Sequence, residues 1–182
     1  MINHPNTKEK RRGYDSAVEK WSVEVEKEAF KYSSAHFLIF PDGSAERLHG
    51  HNYRVFVALQ GALSEFGLVF DFNKIKPVVK GICDELNEQW LIPGEHPVLK
   101  WELREDGIVE VRYLERYYAA PQEDVTILPI NNTSVENMSA WFGRELRSRV
   151  EADFPDITIE RLEVSIEETP GQRARWCYTL EE

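Results

Sequence analysis

Alternating apolar and polar residues run through much of the chain and constrain it to a fold built on a β-sheet. The alternation begins at Trp21 and resumes at Phe30 with the other parity, after a slip that we interpret as a β-bulge at residues 27–29. A second run, from about His49 to Leu59, again places every second residue on one face. Because residues i and i+2 of a strand project to the same side, these runs predict two neighbouring strands.

Two stretches show the spacing of buried helix faces instead. Apolar residues recur three to four positions apart from Phe72 to Trp90, and again from Met138 to Phe154. Thr133 and Glu136 precede the second stretch at the spacing of a capping box, in which hydroxyl and carboxylate accept backbone N–H groups reciprocally. The pattern therefore predicts two helices, with the second one capped by Thr133.

The order of these elements predicts an α+β domain. Two final strands are expected at about 157–167 and 173–180, and residues 98–129 are interpreted as an inserted β-hairpin followed by a loop. We predict one domain at residues 21–182, with an antiparallel four-stranded sheet and both helices on one face. Residues 1–20 are polar and are expected to form a flexible N-terminal arm.

The charge balance excludes some classes of partner. The 182 residues carry 32 acidic and 22 basic side chains, a net charge of −10, whereas a nucleic-acid or anionic-membrane partner requires a basic surface. No apolar run approaches the roughly 20 residues of a membrane span. The N-terminus also lacks the apolar core of a signal peptide, so a cytoplasmic location is expected.

Three histidines form the sharpest chemical signal. His49 and His51 flank Gly50 in the second predicted strand and share one face, and His36 ends the neighbouring strand. Three imidazoles with one open position are typical of a catalytic zinc site, whereas structural zinc usually takes four protein ligands. These residues are equally compatible with ordinary strand histidines that bond backbone or carboxylate groups.

Two glutamates are candidate binding residues. Glu168 shares its parity with the apolar residues Leu162, Val164 and Ile166, so its carboxylate should enter apolar surroundings and need a partner. A fixed carboxylate can also bind a guanidine-like edge through paired N–H···O bonds. A solvated glutamate at the strand end remains the alternative, and Glu136 already has a sufficient structural role as a helix cap.

Five short motifs occur in the order found in a known enzyme family: Ser34-Ala35-His36, Leu48-His49-Gly50-His51-Asn52-Tyr53, Gly67-Leu68-Val69-Phe70-Asp71-Phe72, Glu136-Asn137 and Glu168-Thr169. Together they resemble 6-pyruvoyl-tetrahydropterin synthase and its relative 6-carboxy-tetrahydropterin synthase. The resemblance covers about Ala29–Asn87 and Thr133–Tyr178. The N-terminal arm and the insertion lie outside it.

The resemblance implies a tunnelling fold, in which the sheets of several subunits close into a barrel and trimers stack to hexamers. It implies a Zn²⁺ cofactor held by three histidines: His36, His49 and His51. It also implies that Glu168 anchors the 2-amino-pyrimidinone edge of a pterin, with Glu136 and Thr169 in the same pocket. Because this pocket lies between subunits in the family, a homo-oligomer is expected, either a trimer or a hexamer.

The sequence departs from the family at the catalytic positions. The proton-abstracting cysteine of such synthases, four residues before the first histidine of His-Gly-His, is replaced by Ala45. The Asp-His pair of their proton relay aligns with Asn87 and Glu88. Glu46, however, lies three residues before His49. In one branch of the family, a glutamate beside or in place of the cysteine is linked to cleavage of 7,8-dihydroneopterin triphosphate to 6-hydroxymethyl-7,8-dihydropterin.

Two hypotheses follow. The first is a zinc-dependent lyase for 7,8-dihydroneopterin triphosphate or a close pterin, with Glu46 as general base and Glu88 as proton relay. The second is a diverged homologue that binds zinc and pterin without turnover. The substitutions at Ala45, Asn87 and Glu88 favour the second hypothesis. Glu46 favours the first, unless it is only a solvated loop residue.

Overall fold

A computed structural model describes residues 19–181, so all but the last two residues of the predicted N-terminal arm lie outside the described residues. Ten strands and two α-helices follow one another: β1 (Trp21–Val25), β2 (Lys31–His36), β3 (His49–Gly61), α1 (Phe72–Leu86), β4 (Gln89–Pro93), β5 (Lys100–Leu103), β6 (Ile108–Tyr113), β7 (Arg116–Pro121), β8 (Val125–Leu128), α2 (Val135–Asp153), β9 (Arg161–Thr169) and β10 (Gln172–Thr179).

The main sheet is built around the long strand β3. Its strand order is β10-β9-β3-β2-β4-β8, and β1 also pairs with β3. The first half of β3 pairs with β2, and its second half pairs with β1. The predicted α+β class is confirmed. The prediction of a four-stranded antiparallel sheet is wrong in two respects. The sheet has seven strands, and two of its pairs, β2–β4 and β4–β8, are parallel.

The slip of parity before Phe30 is a turn between two strands, not a β-bulge. The backbone N–H of Phe30 donates to the carbonyl of Lys27 at 2.9 Å, which closes the turn. The carbonyl of Phe30 then accepts from the N–H of Val55 at 2.9 Å. The chain therefore leaves the sheet after β1 and returns to the same neighbour, β3, as β2.

Helix α1 is shorter than its apolar pattern predicts. It ends at Leu86, and Trp90 lies on β4 rather than on the helix. Glu88 has a φ of 60°, which no helical residue adopts, and its N–H donates to the carbonyl of Ser33 at 2.7 Å. This contact directs the chain from the helix into the sheet. Periodicity misses the change because a short buried run suits a helix or a strand equally well.

The insertion holds more structure than the predicted hairpin and loop. Strands β5, β6 and β7 form a separate three-stranded antiparallel sheet, and the turn around Glu105–Gly107 joins its first two strands. The expected loop contains β8, which joins the main sheet. Val109, Val111 and Tyr113 of β6 pack with Trp90 and Ile92 of the main sheet.

Helix α2 begins differently from the prediction. Its N-cap is Ser134, whose hydroxyl accepts from the N–H of Asn137 at 3.4 Å, so the capping box of Thr133 and Glu136 is not formed. The Thr133 hydroxyl donates instead to the carbonyl of Phe37 at 3.0 Å. Because the Thr133 hydroxyl is engaged by this bond near the end of β2, it cannot cap the helix, and Ser134 caps it instead.

Both helices pack on one face of the main sheet, and their apolar sides share a core with β3 and β9. This core fixes the faces of the strands that carry the histidines. Among residues 19–181, no helix combines the length and the apolar character needed to cross a bilayer.

The two glycines inside the helices give a matched test of this packing. A Cβ added to Gly143 of α2 would overlap the ring of Trp176, whereas a Cβ at Gly81 of α1 meets nothing within 4 Å. We expect Gly143→Ala to lower the free energy of unfolding by about 1–3 kcal/mol, because the helix must move away from β10. We expect Gly81→Ala to raise it by about 0.5–1 kcal/mol, because alanine restricts the unfolded chain.

Denaturant unfolding of both variants measures these changes. Equal effects of the two substitutions would show that helix propensity, not contact with Trp176, decides the outcome.

Candidate active site

The structure brings the three predicted histidines together where β2 ends and β3 begins. His36 pairs directly with His49 across the two strands, and His51 lies two residues further along β3 on the same face. The ring centroids of His36 and His49 are 4.8 Å apart, and so are those of His49 and His51. The potential ligand nitrogens of all three lie within 4.8 Å of one another.

Gly50 allows the two strands to approach at this point. A Cβ at Gly50 would lie 3.3 Å from the carbonyl oxygen of Ser34, closer than ordinary van der Waals contact. The glycine between the histidines is thus explained by packing against β2, on the face opposite the imidazoles.

Backbone carbonyls orient two of the rings. The Nδ1 atom of His36 lies 3.1 Å from the carbonyl oxygen of Thr133, and that of His49 lies 2.7 Å from the carbonyl of Arg47. A carbonyl only accepts hydrogen bonds, so each Nδ1 carries a proton, and in the neutral ring Nε2 is left free to bind a metal. Metal-binding histidines are held in this way.

Glu168 lies against the same cluster. Its Oε1 atom is 3.2 Å from Nε2 of His36 and 3.8 Å from Nε2 of His51, and it accepts a hydrogen bond from the Tyr53 hydroxyl at 3.2 Å. Because the side chain of His36 is 1% exposed, its Nε2 atom cannot reach water, and it has no hydrogen bond within residues 19–181. Two lone pairs at 3.2 Å repel each other unless a proton or a cation lies near them.

The electrostatics of the cluster favour a neutral His51 and an ionised Glu168. A proton on Nε2 of His36 donates to Glu168 and holds the pKa of this carboxyl below its ordinary value, although burial opposes the shift. A cation at the same nitrogen would act in the same direction. Burial lowers the pKa of His51, and the nearby Glu168 carboxylate only partly offsets that effect. Burial, and then Glu168, raises the pKa of Tyr53, so its hydroxyl stays a donor.

Glu46 stands at the other side of the cluster. Its Oε2 atom is 3.8 Å from Nε2 of His49 and accepts from the backbone N–H of Leu38 at 3.2 Å. One third of its side chain is exposed, so the carboxylate borders the cluster and is open to a ligand. The predicted proximity of Glu46 to the histidine cluster is present in the structure.

The other predicted site residues lie further out. Glu88 is exposed and lines a groove of about 630 Å³ that His51 also borders. Glu136 is exposed in the first turn of α2, and the Thr169 hydroxyl donates to Oε1 of Gln172 at 3.0 Å. In the described part of the chain, no hydrogen bond or ion pair joins Glu88, Glu136 or Thr169 to the histidines.

The comparisons identify the family. Residues 24–177 match the family model described as 6-pyruvoyl tetrahydropterin synthase. The chain belongs to this family. It is 38% identical over 149 residues to a putative 6-carboxy-5,6,7,8-tetrahydropterin synthase from Methanocaldococcus jannaschii, covering 81% of this chain and 88% of that protein. A Pyrococcus horikoshii protein of the same name is 28% identical over 152 residues, with 83% and 88% covered.

Solved structures agree with the family assignment. The 6-pyruvoyl tetrahydropterin synthase of Plasmodium vivax superposes with a TM-score of 0.83 at 27% identity, covering 90% of this chain and 100% of that chain. That of Plasmodium falciparum gives 0.82 at 29% identity, with 88% and 99% covered. The mixed fold with one main sheet and two helices is therefore that of the family, and the protein is an enzyme of the 6-pyruvoyl tetrahydropterin synthase type.

The residues present fit the metal that the family implies. Three imidazoles converge, two are oriented by carbonyls, and the buried Nε2 of His36 lacks a hydrogen bond among the described residues. A cation at this point would relieve the repulsion between His36 and Glu168. A ligand set made only of imidazole suits zinc.

Three groups that support the histidines carry little or no signal in the sequence. Tyr53 follows His49 and His51 at the same parity, so the alternation of β3 already placed it on the site face. The Arg47 carbonyl is local to the motif but has no side-chain signal. The Thr133 carbonyl reaches His36 across 97 residues of sequence, and nothing in the sequence indicates that contact.

Proposed function

We propose that the enzyme is a zinc-dependent lyase that acts on 7,8-dihydroneopterin triphosphate or a close pterin. The observation that carries this proposal is the pair of carboxylates around the histidines. The Glu46 carboxylate lies 3.8 Å from Nε2 of His49, and the Glu168 carboxylate lies 3.2 Å from Nε2 of His36. One carboxylate is thus available for proton transfer and one for binding.

We propose that His36, His49 and His51 hold the zinc. When bound, zinc supplies Lewis-acid polarisation of a substrate oxygen and lowers the pKa of its proton. The Thr133 and Arg47 carbonyls keep two of the rings in the orientation that binding needs.

Glu46 is the proposed general base. It would replace the family's cysteine, whose position is occupied by Ala45. Its partly exposed carboxylate beside His49 supports this role. Two solved variants of the Plasmodium vivax protein, both 26% identical to this chain, replace a glutamate described as a catalytic residue, one by alanine and one by cysteine. A glutamate therefore serves catalysis in a related protein.

In the proposed reaction, Glu46 removes the proton of the second side-chain hydroxyl of the pterin. The bond between the first and second side-chain carbons breaks, and its electron pair enters the imine of the dihydropterin ring. A proton then returns to the first carbon, for which Glu88 in the groove is the proposed relay. The products are 6-hydroxymethyl-7,8-dihydropterin and a two-carbon aldehyde that carries the triphosphate, so atoms and electrons balance.

Product analysis tests this proposal directly. The zinc-loaded enzyme is incubated with 7,8-dihydroneopterin triphosphate, and the pterins are separated by chromatography. We expect 6-hydroxymethyl-7,8-dihydropterin. A 6-carboxy-tetrahydropterin product would instead indicate that this chain catalyses the reaction for which the archaeal relatives are named. Unchanged substrate with bound pterin would select the homologue without turnover, which the alanine at position 45 favours.

Glu168 is the proposed anchor of the pterin's amino-pyrimidinone edge, because a carboxylate accepts paired N–H bonds. We expect Glu168→Gln to weaken pterin binding about tenfold or more, since an amide offers one acceptor where the carboxylate offers two. Fluorescence titration with a non-reactive pterin measures the change.

Glu167→Gln is the matched control, because this neighbour lies on the opposite face of β9 and pairs with Arg54 at 3.8 Å. Loss of binding in the control, or unchanged binding in Glu168→Gln, would contradict the anchor role. Glu136 and Thr169 remain proposed members of the pocket, with weaker support from their positions.

We propose that the enzyme is a homo-oligomer, with a hexamer as the expected form. The edge strands β8 and β10 each pair on one side only among residues 19–181, and an open edge favours pairing with another chain. Phe66, which is 80% exposed, adds an apolar surface. Light scattering should give a mass several times 21.2 kDa, and a monomer at micromolar concentration would contradict the expectation.

A further inference from the structure

The inserted sheet reaches the segment that carries Glu46. Arg116, the first residue of β7, donates to the carbonyl of Ala45 at 2.6 Å and also to the carbonyl of Glu46. The Tyr113 hydroxyl, from the last residue of β6, donates to the carbonyl of Gly43 at 2.8 Å. Side chains at one end of the β6–β7 hairpin thus donate to three backbone carbonyls within residues 43–46.

These bonds complete the fixation of the segment. On its other side, the N–H of Glu46 donates to the carbonyl of Leu38 at 3.0 Å, and the Glu46 carboxylate accepts from the Leu38 N–H. Asn132 holds the neighbouring Ile39 through its N–H and its carbonyl. Ile39 is thus fixed by Asn132, which precedes α2, and residues 45–46 are fixed by the insertion.

Arginine suits this contact for a physical reason. Its planar guanidinium presents two parallel N–H donors, which match two successive carbonyls, and bonds from a charged donor are stronger than neutral ones. Arg116 forms no ion pair with a carboxylate in the described part of the chain. Its half-buried guanidinium is therefore directed to the backbone of the Glu46 segment.

The turn before Arg116 is held in an uncommon conformation. Leu114 has a φ of 50° although it is not a glycine, and Leu114 with Glu115 forms the two-residue connection between β6 and β7. Such a conformation persists only where surrounding contacts determine it. The bonds of Tyr113 and Arg116 on either side of the turn provide those contacts.

We propose that Arg116 is a positioning residue for the Glu46 carboxylate, and that the insertion serves as part of the active-site scaffold. This inference rests on the proposed function, because it gives Arg116 a role through the general base. Arg116 acts on the backbone of residues 45 and 46, which fixes the distance between the carboxylate and His49.

The test compares Arg116→Met with Arg112→Met. Arg112 lies on β6 of the same sheet, is exposed, and pairs with Glu110 at 3.3 Å, so its loss controls for a general effect on the insertion. We expect Arg116→Met to lower kcat about 10- to 100-fold, because a displacement of about 1 Å is enough for such a loss. Pterin affinity and zinc content should stay unchanged. Arg112→Met should behave as the unsubstituted enzyme.

Two further measurements separate positioning from a merely structural role. Hydrogen exchange of the Glu46 amide should be faster in Arg116→Met and unchanged in Arg112→Met. The double variant Glu46→Gln with Arg116→Met should be no slower than Glu46→Gln alone, because both substitutions act through one group. Arg116→Lys keeps the positive charge but not the two parallel N–H donors, so it should restore only part of kcat. This variant also provides a test if Arg116→Met misfolds.

The outcomes distinguish the two proposals. Wild-type turnover in Arg116→Met, with Glu46→Gln inactive, overturns the positioning role and leaves the general base intact. Wild-type turnover in Glu46→Gln overturns the general base, and the role of Arg116 through it falls as well. Additive losses in the double variant also overturn the inference, because Arg116 would then act independently of Glu46.

Discussion

Replacing Glu46 by glutamine is expected to lower kcat roughly 100-fold or more, while the fold, the zinc content and pterin binding are retained. Glutamine keeps the length of the side chain, and its amide oxygen can still accept from the N–H of Leu38. It cannot take up a proton. Steady-state kinetics with 7,8-dihydroneopterin triphosphate, together with metal analysis and pterin titration, measures the three properties separately.

Glu65→Gln is a suitable control, because Glu65 is an exposed residue in the turn after β3. It removes one negative charge from the surface without touching the histidines. Normal turnover in Glu46→Gln would exclude the general-base role. Glu88, which borders the same groove as His51, would then be the leading candidate for the base.

The elements that alternate or repeat locally were predictable from the sequence. Strand β3 shows its period of two in consecutive residues, so its start at His49 and its site face follow without knowledge of the rest of the fold. Strands β4 and β8 give no such signal, because both are short, largely apolar runs in parallel pairs, and neither alternates between buried and exposed residues. The helical spacing therefore continues to Trp90, although α1 ends at Leu86.

The same distinction separates the parts of the site. His36 and His49 are neighbours because β2 and β3 pair antiparallel, which the order of the strands already suggests. The carbonyl that orients His36 comes from a distant segment, and so does the arginine that holds the Glu46 segment, whereas the Arg47 carbonyl that orients His49 is local. Thr133 is 97 residues from His36, and Arg116 is 71 residues from Ala45. Such contacts depend on how α2 and the insertion pack, and no local pattern reports that packing.

The first turn of α2 shows how a tertiary contact overrides a valid local pattern. Thr133 and Glu136 have the spacing of a capping box, but the Thr133 hydroxyl bonds the Phe37 carbonyl instead. That bond brings the Thr133 backbone to the end of β2, where its own carbonyl meets His36. Shifting the cap by one residue therefore allows a helix terminus to orient a candidate metal ligand.

Removing the metal is expected to abolish turnover and to destabilise the protein. We expect about one zinc ion per chain in the purified enzyme, complete loss of activity after dialysis against a chelator, and recovery on addition of zinc. A free zinc concentration of about 100 times Kd adds roughly 2.7 kcal/mol to the stability of the native state, so chelation should lower Tm. Without a cation, the lone pair of buried His36 Nε2 again faces the Glu168 carboxylate at 3.2 Å.

Single substitutions locate this metal. We expect His36→Asn, His49→Asn and His51→Asn each to lower zinc affinity at least about tenfold, because zinc with three protein ligands loses one of them. His96→Asn should keep full zinc content, since Nδ1 of His96 accepts the backbone N–H groups of Val98 and Leu99 and an asparagine oxygen can replace it. Metal analysis by mass spectrometry measures all four variants. Zinc retained at full affinity by the first three, or lost from His96→Asn, would place the metal elsewhere and remove the basis for a lyase that uses this cluster.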